Sequence, residues 1–186
     1  MNREELEHVI RASADLTNEY EFVIVGSQAI LGPIPNPPAV FTMSAEVDIY
    51  PLQRPELADR IDGNLGEGSH FHRSFGYYAQ GVGPKTAVLP LGWMTRVHRV
   101  QNMATGGRVG YCLDPLDLFL SKAVAGREKD RIFCKAMLQH RYVTAKDLLA
   151  LVGTMPIDEA AQRRLKATIR RWSESVQTEG QPPPGV

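Results

Sequence analysis

Glu46 and Asp48 stand two residues apart in SAEVDIYP, Ser44 to Pro51, a stretch that is otherwise largely apolar. On a strand, residues i and i+2 leave the same face, so the two carboxylates would sit side by side. Like charges that close repel each other, and a divalent cation between them removes the conflict. Mg2+ suits such a pair. It takes oxygen ligands and is commonly held by one or two carboxylates, with waters and substrate phosphates completing its shell. The plain alternative is an edge strand with two acids turned to solvent, and for a bare Glu-x-Asp it is the better explanation.

A second feature changes that balance. In VIVGSQAI an apolar run enters Gly26-Ser27 and then a segment with helical character. Glycine lets backbone N–H groups approach a ligand closely. The N-terminus of a helix carries partial positive charge that favours phosphate, and the Ser27 hydroxyl adds a donor. Alone, strand–Gly–Ser–helix is a common turn. Set beside a divalent-metal pair on the next strand, it makes a site for a nucleoside triphosphate.

Cations follow further along. LFLSKAVAGREKDRIFC carries Lys122, Arg127, Lys129 and Asp130. Lys122 and Lys129 are seven apart and would share a face of one continuous helix. A break at Gly126 would instead open a new helix at Arg127. Either way cations gather at a helix junction, where they can stabilise charge on a leaving pyrophosphate. Asp130 has two candidate tasks: holding Lys122 by an ion pair, which we favour, or accepting a proton from an attacking hydroxyl.

The elements that must position these groups are legible from periodicity. NREELEHVIRASADLTN spaces Leu6, Val9 and Ile10 as a helix, with acids in its first turn. Phe22 to Val25 reads as a buried strand, EVDIY as a second strand stopped by Pro51, and the proline-rich GPIPNPPAV between them as a loop. RPELADRIDGNLG reads as a helix closing near Gly63. FGYYAQGV, KTAVLPLGW, MTRVHRVQNM and RVGYCLD read as strands. From Asp114, a helix cap followed by Pro115, the pattern turns helical: four helices end in IDEAAQRRLKATIRRWSESVQ. In the second of them Ile132, Phe133, Ala136 and Met137 fall on one face. This divides the chain into an α/β unit over 1–112, a helical unit over 113–177 and a disordered Pro/Gly-rich tail over 178–186.

Composition narrows the class. The chain has 186 residues, 43% of them hydrophobic, enough for a sizeable core. Lys plus Arg and Asp plus Glu both number 21, so there is no global basic footprint for nucleic acid. Cys112 and Cys134 form no CxxC pattern and read as buried thiols in a reducing compartment. No apolar run approaches the ~18 to 20 residues of a membrane span, and the acidic start is no signal peptide. These features together predict a cytoplasmic protein that does not enter the membrane.

Other groups have bland explanations. His70 and His72 would share a strand face without an evident third ligand, and read as an exposed polar stretch. Arg96, His98 and Arg99 suit a polar sheet face. Arg163, Arg164, Lys166, Arg170 and Arg171 form a basic stripe of the kind usually left in solvent. Trp93 and Trp172 read as core or capping residues.

VGSQAI followed by SAEVDIYP resembles the signature of the nucleotidyltransferase superfamily: a hydrophobic residue, Gly-Gly or Gly-Ser, a gap, then Asp-x-Asp/Glu in a strand. Within it the chain is similar to the minimal, AbiEii-like nucleotidyltransferases of bacterial toxin–antitoxin and phage-defence systems. Ser44, Glu46, Asp48 and Ile49 match their strand, and Lys122, Arg127, Lys129 and Asp130 match their downstream Lys and Arg/Lys–Asp element. Glu46 stands where the family usually has Asp, and Thr42 where related toxins often carry a basic residue.

The resemblance implies an α/β (α+β) nucleotidyltransferase fold, a short mixed sheet flanked by helices with a C-terminal helical subdomain. It implies Mg2+-dependent transfer of a nucleoside monophosphate from a nucleoside triphosphate to a hydroxyl, either the 3′ end of a tRNA or a protein side chain. Glu46 and Asp48 would hold the metal, and Gly26, Ser27, Lys122, Arg127 and Lys129 the nucleotide. Glu46, Asp48, Lys122 and Asp130 would be the catalytic set. A cognate antitoxin protein is an implied partner. The Glu-for-Asp exchange keeps a rival open: a decayed enzyme that binds nucleotide or a partner without catalysis.

Overall fold

Phe22, Val23 and Ile24 are wholly buried because their strand, β1 (Glu21–Val25), has a neighbour on either side and both its faces covered. The computed structural model describes residues 1–179. In it β1, β2 (Glu46–Pro51), β3 (Tyr78–Gly81), β4 (His98–Val100) and β5 (Val109–Cys112) form one mixed sheet in the order β3-β2-β1-β5-β4. β1 runs antiparallel to β2 and parallel to β5. β3 joins β2 in parallel, and β4 joins β5 antiparallel.

Helix α1 (Arg3–Thr17) begins with a reciprocal cap: Asn2 Oδ1 accepts from Glu5 N at 2.9 Å, and Glu5 Oε2 accepts from Asn2 N at 2.7 Å. Leu6, Val9, Ile10 and Ala14 form its buried stripe. α2 (Ala58–Leu65) runs through Gly63 rather than closing there, and ends at Gly66. α3 (His70–Phe75) occupies the segment read as a strand. Ser69 Oγ accepts from His72 N at 3.0 Å and caps a helix, which ends at Gly76 in the left-handed region. On that helix His70 and His72 are about 200° apart, so they do not share a face.

KTAVLPLGW forms no strand. Pro90 has no N–H to give a ladder, and the N–H of the next residue, Leu91, donates instead to Thr154 O at 2.9 Å.

Contacts divide the chain into two units. One comprises Met1–Ala87 with Gly92–Asp114 and holds the sheet; the other comprises Val88–Leu91 and the helices from Pro115 onward. In the helical unit α4 (Pro115–Ala125), α5 (Glu128–Gln139), α6 (Ala145–Leu151) and α7 (Glu159–Glu179) pack around Phe119, Met137, Leu148 and Ile169, all fully buried. Phe119 meets Trp172 edge-on with ring centroids 6.1 Å apart, so Trp172 is a core residue. Ile132 departs from the predicted apolar face. It is 52% exposed, while Phe133, Ala136 and Met137 are buried. α7 continues through Thr178 and Glu179, the first two positions of the predicted tail; the rest of that tail lies outside the described residues.

Cys112 and Cys134 are both buried and unpaired by disulfide. Burial pushes the Cys112 thiol up to about 12 and raises that of Cys134 as well, so both stay protonated and unreactive. Among the described residues no helix is long and apolar enough to cross a membrane.

Candidate functional site

Along β2 the exposure alternates. Val47 and Ile49 are fully buried on one face, while Glu46 and Asp48 are half-buried on the other. The two carboxylates therefore leave the same side of the sheet. Antiparallel pairing sets Asp48 opposite Val25, the last residue of β1, and the chain then turns at Gly26. Gly26 has φ 67° and ψ −165°, a conformation that residues with a β-carbon avoid. A β-carbon placed there would come 1.9 Å from Asp48 Oδ2. Glycine is thus required twice, by the backbone and by the carboxylate lying against it.

Ser27 follows at the first position of a short, five-residue 3-10 helix, Ser27–Leu31. So short an element aligns few peptide dipoles. What it could offer an anion is local: close backbone approach at Gly26 and the Ser27 hydroxyl. Gln28 is buried behind it. Its amide donates to Ser44 O at 3.3 Å, while its amide oxygen has no hydrogen-bond partner. Ser44 Oγ accepts from Glu46 N at 3.1 Å and fixes the start of β2.

Tyr78 is a participant that sequence reading missed. It lies opposite Glu46 in the β2–β3 register, and its hydroxyl donates to Glu46 Oε2 at 3.0 Å. Burial, then the hydrogen bond to Glu46, pushes the phenol up to about 12, so Tyr78 remains a neutral donor at physiological pH. His72 packs on it with ring centroids 4.7 Å apart. No local motif marks Tyr78, because only the strand register brings it to Glu46.

The cationic group is built in the helical unit. α4 ends at Ala125, and Gly126 turns the chain at φ 67°, so Lys122 and Lys129 lie on separate helices. Arg127 caps α5 in an extended conformation, which puts Asp130 in the first turn, where the helix dipole favours a carboxylate. Asp130 is fully buried. Lys122 Nζ donates to its Oδ1 at 3.0 Å and Arg127 Nε to its Oδ2 at 2.7 Å. Burial alone would raise the Asp130 carboxyl, but the hydrogen bonds from Arg127 and Lys122 outweigh it and hold the group below the usual carboxylate range. A carboxylate so held is a poor proton acceptor, which favours the ion-pair task.

Lys122 is only 5% exposed and sits 4.6 Å from the centre of the Phe133 ring. Arg127, its side chain 61% exposed, and the exposed Lys129 are the members of this group open to solvent.

The structure therefore gathers Gly26, Ser27, Glu46 and Asp48 in the sheet unit, and Lys122, Arg127 and Asp130 in the helical unit. Among the described residues no group of three or more His, Cys, Asp or Glu side chains could hold a metal ion. Two carboxylates fit a Mg2+ whose remaining ligands are waters and phosphate oxygens, rather than a permanently caged ion.

A five-stranded mixed sheet with a glycine turn meeting paired acids, together with a helical unit, defines an α+β nucleotidyltransferase-like fold. The chain belongs to the family described as nucleotidyltransferase of unknown function (DUF6036), whose model matches residues 4–179. No curated protein and no solved structure matches the chain significantly.

Proposed function

We propose that the protein moves a nucleoside monophosphate from a nucleoside triphosphate to a hydroxyl acceptor and releases pyrophosphate. The observation that carries this reading is the seating of the Asp48 carboxylate on Gly26, with Glu46 on the same face of β2. In the reaction the acceptor hydroxyl oxygen bonds to the α-phosphorus as the bond to the pyrophosphate oxygen breaks, and the hydroxyl proton passes to water. Positioning and charge stabilisation carry most of the catalysis in such transfers.

Glu46 and Asp48 would hold Mg2+, which when bound neutralises charge on the phosphates. Tyr78 orients Glu46, and Gly26 and Ser27 cradle the β and γ phosphates. The AbiEii-like resemblance also assigns Arg127 and Lys129, in the helical unit, to the nucleotide. The buried Lys122–Asp130 pair positions Arg127 through the shared carboxylate.

The AbiEii-like resemblance supports a tRNA 3′ end or a protein side chain as acceptor, and a bacterial toxin–antitoxin setting with a cognate antitoxin. Incubation with each labelled nucleoside triphosphate, Mg2+ and total tRNA or protein tests the proposal. Label transfer that disappears in Asp48→Ala supports it. Nucleotide binding without transfer to either acceptor would instead identify a non-catalytic nucleotide-binding module.

A further inference from the structure

Gln28 is 1% exposed and is followed by Ala29, Ile30 and Leu31, all fully buried. Its amide is only half used. Nε2 donates to Ser44 O at 3.3 Å, while Oε1 has no hydrogen-bond partner among the described residues. A buried acceptor without a donor costs free energy that a leucine or methionine of similar volume would not. Nor does Ser44 O depend on Gln28, because Met1 N donates to it at 2.8 Å. Stability therefore does not explain a glutamine at this position.

Its place beside the glycine turn does. The β1–β2 ladder ends with the Val25–Asp48 pair, where the chain turns away at Gly26. β2 extends past that pair through Val47 to Glu46. Asp48 is thus set against the turn by backbone pairing, whereas Glu46 lies beyond the end of the ladder. Gln28, next to Ser27, spans that gap. Its amide holds the Ser44 carbonyl, and Ser44 Oγ accepts from Glu46 N at 3.1 Å. A single side chain so links the Gly26–Ser27 turn to the start of the acid-bearing strand.

We propose that Gln28 is a positioning residue that sets Glu46 against the Gly26–Ser27 turn, so that a divalent ion on the two acids meets a triphosphate seated at the turn. The proposal rests on the transferase reading of the same site.

Gln28→Leu and Gln28→Met test it, with Ser13→Ala as control. Ser13 Oγ, on α1, is also buried without a hydrogen-bond partner among the described residues, and its removal reports the effect of losing an unpaired polar atom alone. Thermal melts follow stability. Water-proton relaxation follows Mn2+ binding in the presence of a non-hydrolysable nucleoside triphosphate. Label transfer at saturating Mg2+ gives kcat and KM. All three variants should melt at or above the wild-type temperature. Both Gln28 variants should lose about tenfold in Mn2+ affinity. Their kcat should fall about 10–100-fold with KM for the triphosphate near wild type, the split expected when geometry rather than ground-state binding is lost. Ser13→Ala should bind and transfer as wild type does.

Gln28 variants with wild-type Mn2+ binding and transfer overturn the proposal. So does a loss that appears only together with a lowered melting temperature, which would make Gln28 a packing residue. Wild type that binds Mn2+ in a Gln28-dependent way but transfers no label would sink the transferase reading and leave the role of Gln28 standing. Wild type that binds no Mn2+ with nucleotide would overturn both.

Discussion

Gly26→Ala puts a single methyl where the structure leaves no room. The new β-carbon would meet Asp48 Oδ2 at 1.9 Å, about 1.5 Å inside ordinary contact at 3.4 Å. The backbone at φ 67° and ψ −165° would add about 1–3 kcal/mol of strain for any residue but glycine. Either the turn relaxes or the carboxylate moves by an ångström or more. A misplacement of that size can cost about 100-fold in a positioned reaction. The expected phenotype is a folded protein, destabilised by about 2–4 kcal/mol when strain and contact are taken together, with metal-dependent transfer reduced about 100-fold. Urea denaturation and initial rates of label transfer measure the two effects. Gly63→Ala serves as control. It lies within α2 with nothing inside 4 Å of the added carbon, and should be neutral or stabilising by about 0.5–1 kcal/mol. Gly26→Ala with wild-type stability and wild-type transfer would show that Asp48 does not need the space at Gly26.

Three further outcomes are expected. Asp130→Ala takes the carboxylate from beside the buried Lys122 ammonium and should cost about 3–5 kcal/mol in denaturation, whereas Lys122→Met with Asp130→Leu should recover most of the loss. The depressed Asp130 carboxyl contributes stability that is complete above the ordinary carboxylate pKa of about 4 and is lost as pH falls through its lower folded value; Asp130→Asn should therefore flatten the acid limb of the stability profile. Tyr78→Phe removes the donor that orients Glu46 and should weaken divalent-metal binding about 10–100-fold while costing only about 1 kcal/mol of stability.

How much was legible depended on whether the signal was local. β1 and β2 could be placed because an apolar run and an alternating one are properties of neighbouring residues, and the same alternation put Glu46 and Asp48 on a shared face. The approach of Asp48 to Gly26 is a matter of register between strands, and a sequence can suggest it only through a resemblance. Tyr78 was invisible for the same reason: its partner is 32 residues away. SHFHRSF was misread because alternating histidines mimic a strand, while the Ser69 cap and Gly76 stop that decide for a helix are short signals. KTAVLPLGW looked β-like in composition, but Pro90 removes the donor a ladder needs. The Gly126 break could be seen in the sequence; the burial of Lys122 against Asp130 and Phe133 could not.

Mn2+ binding followed by water-proton relaxation, with a non-hydrolysable nucleoside triphosphate present, reports directly on whether the β2 acids grip a divalent ion. Wild type is expected to bind Mn2+ in this complex, and Asp48→Asn and Glu46→Gln should each abolish most of the enhancement while the protein stays folded. Undiminished enhancement in both variants would place the ion elsewhere and contradict metal binding by the β2 acids.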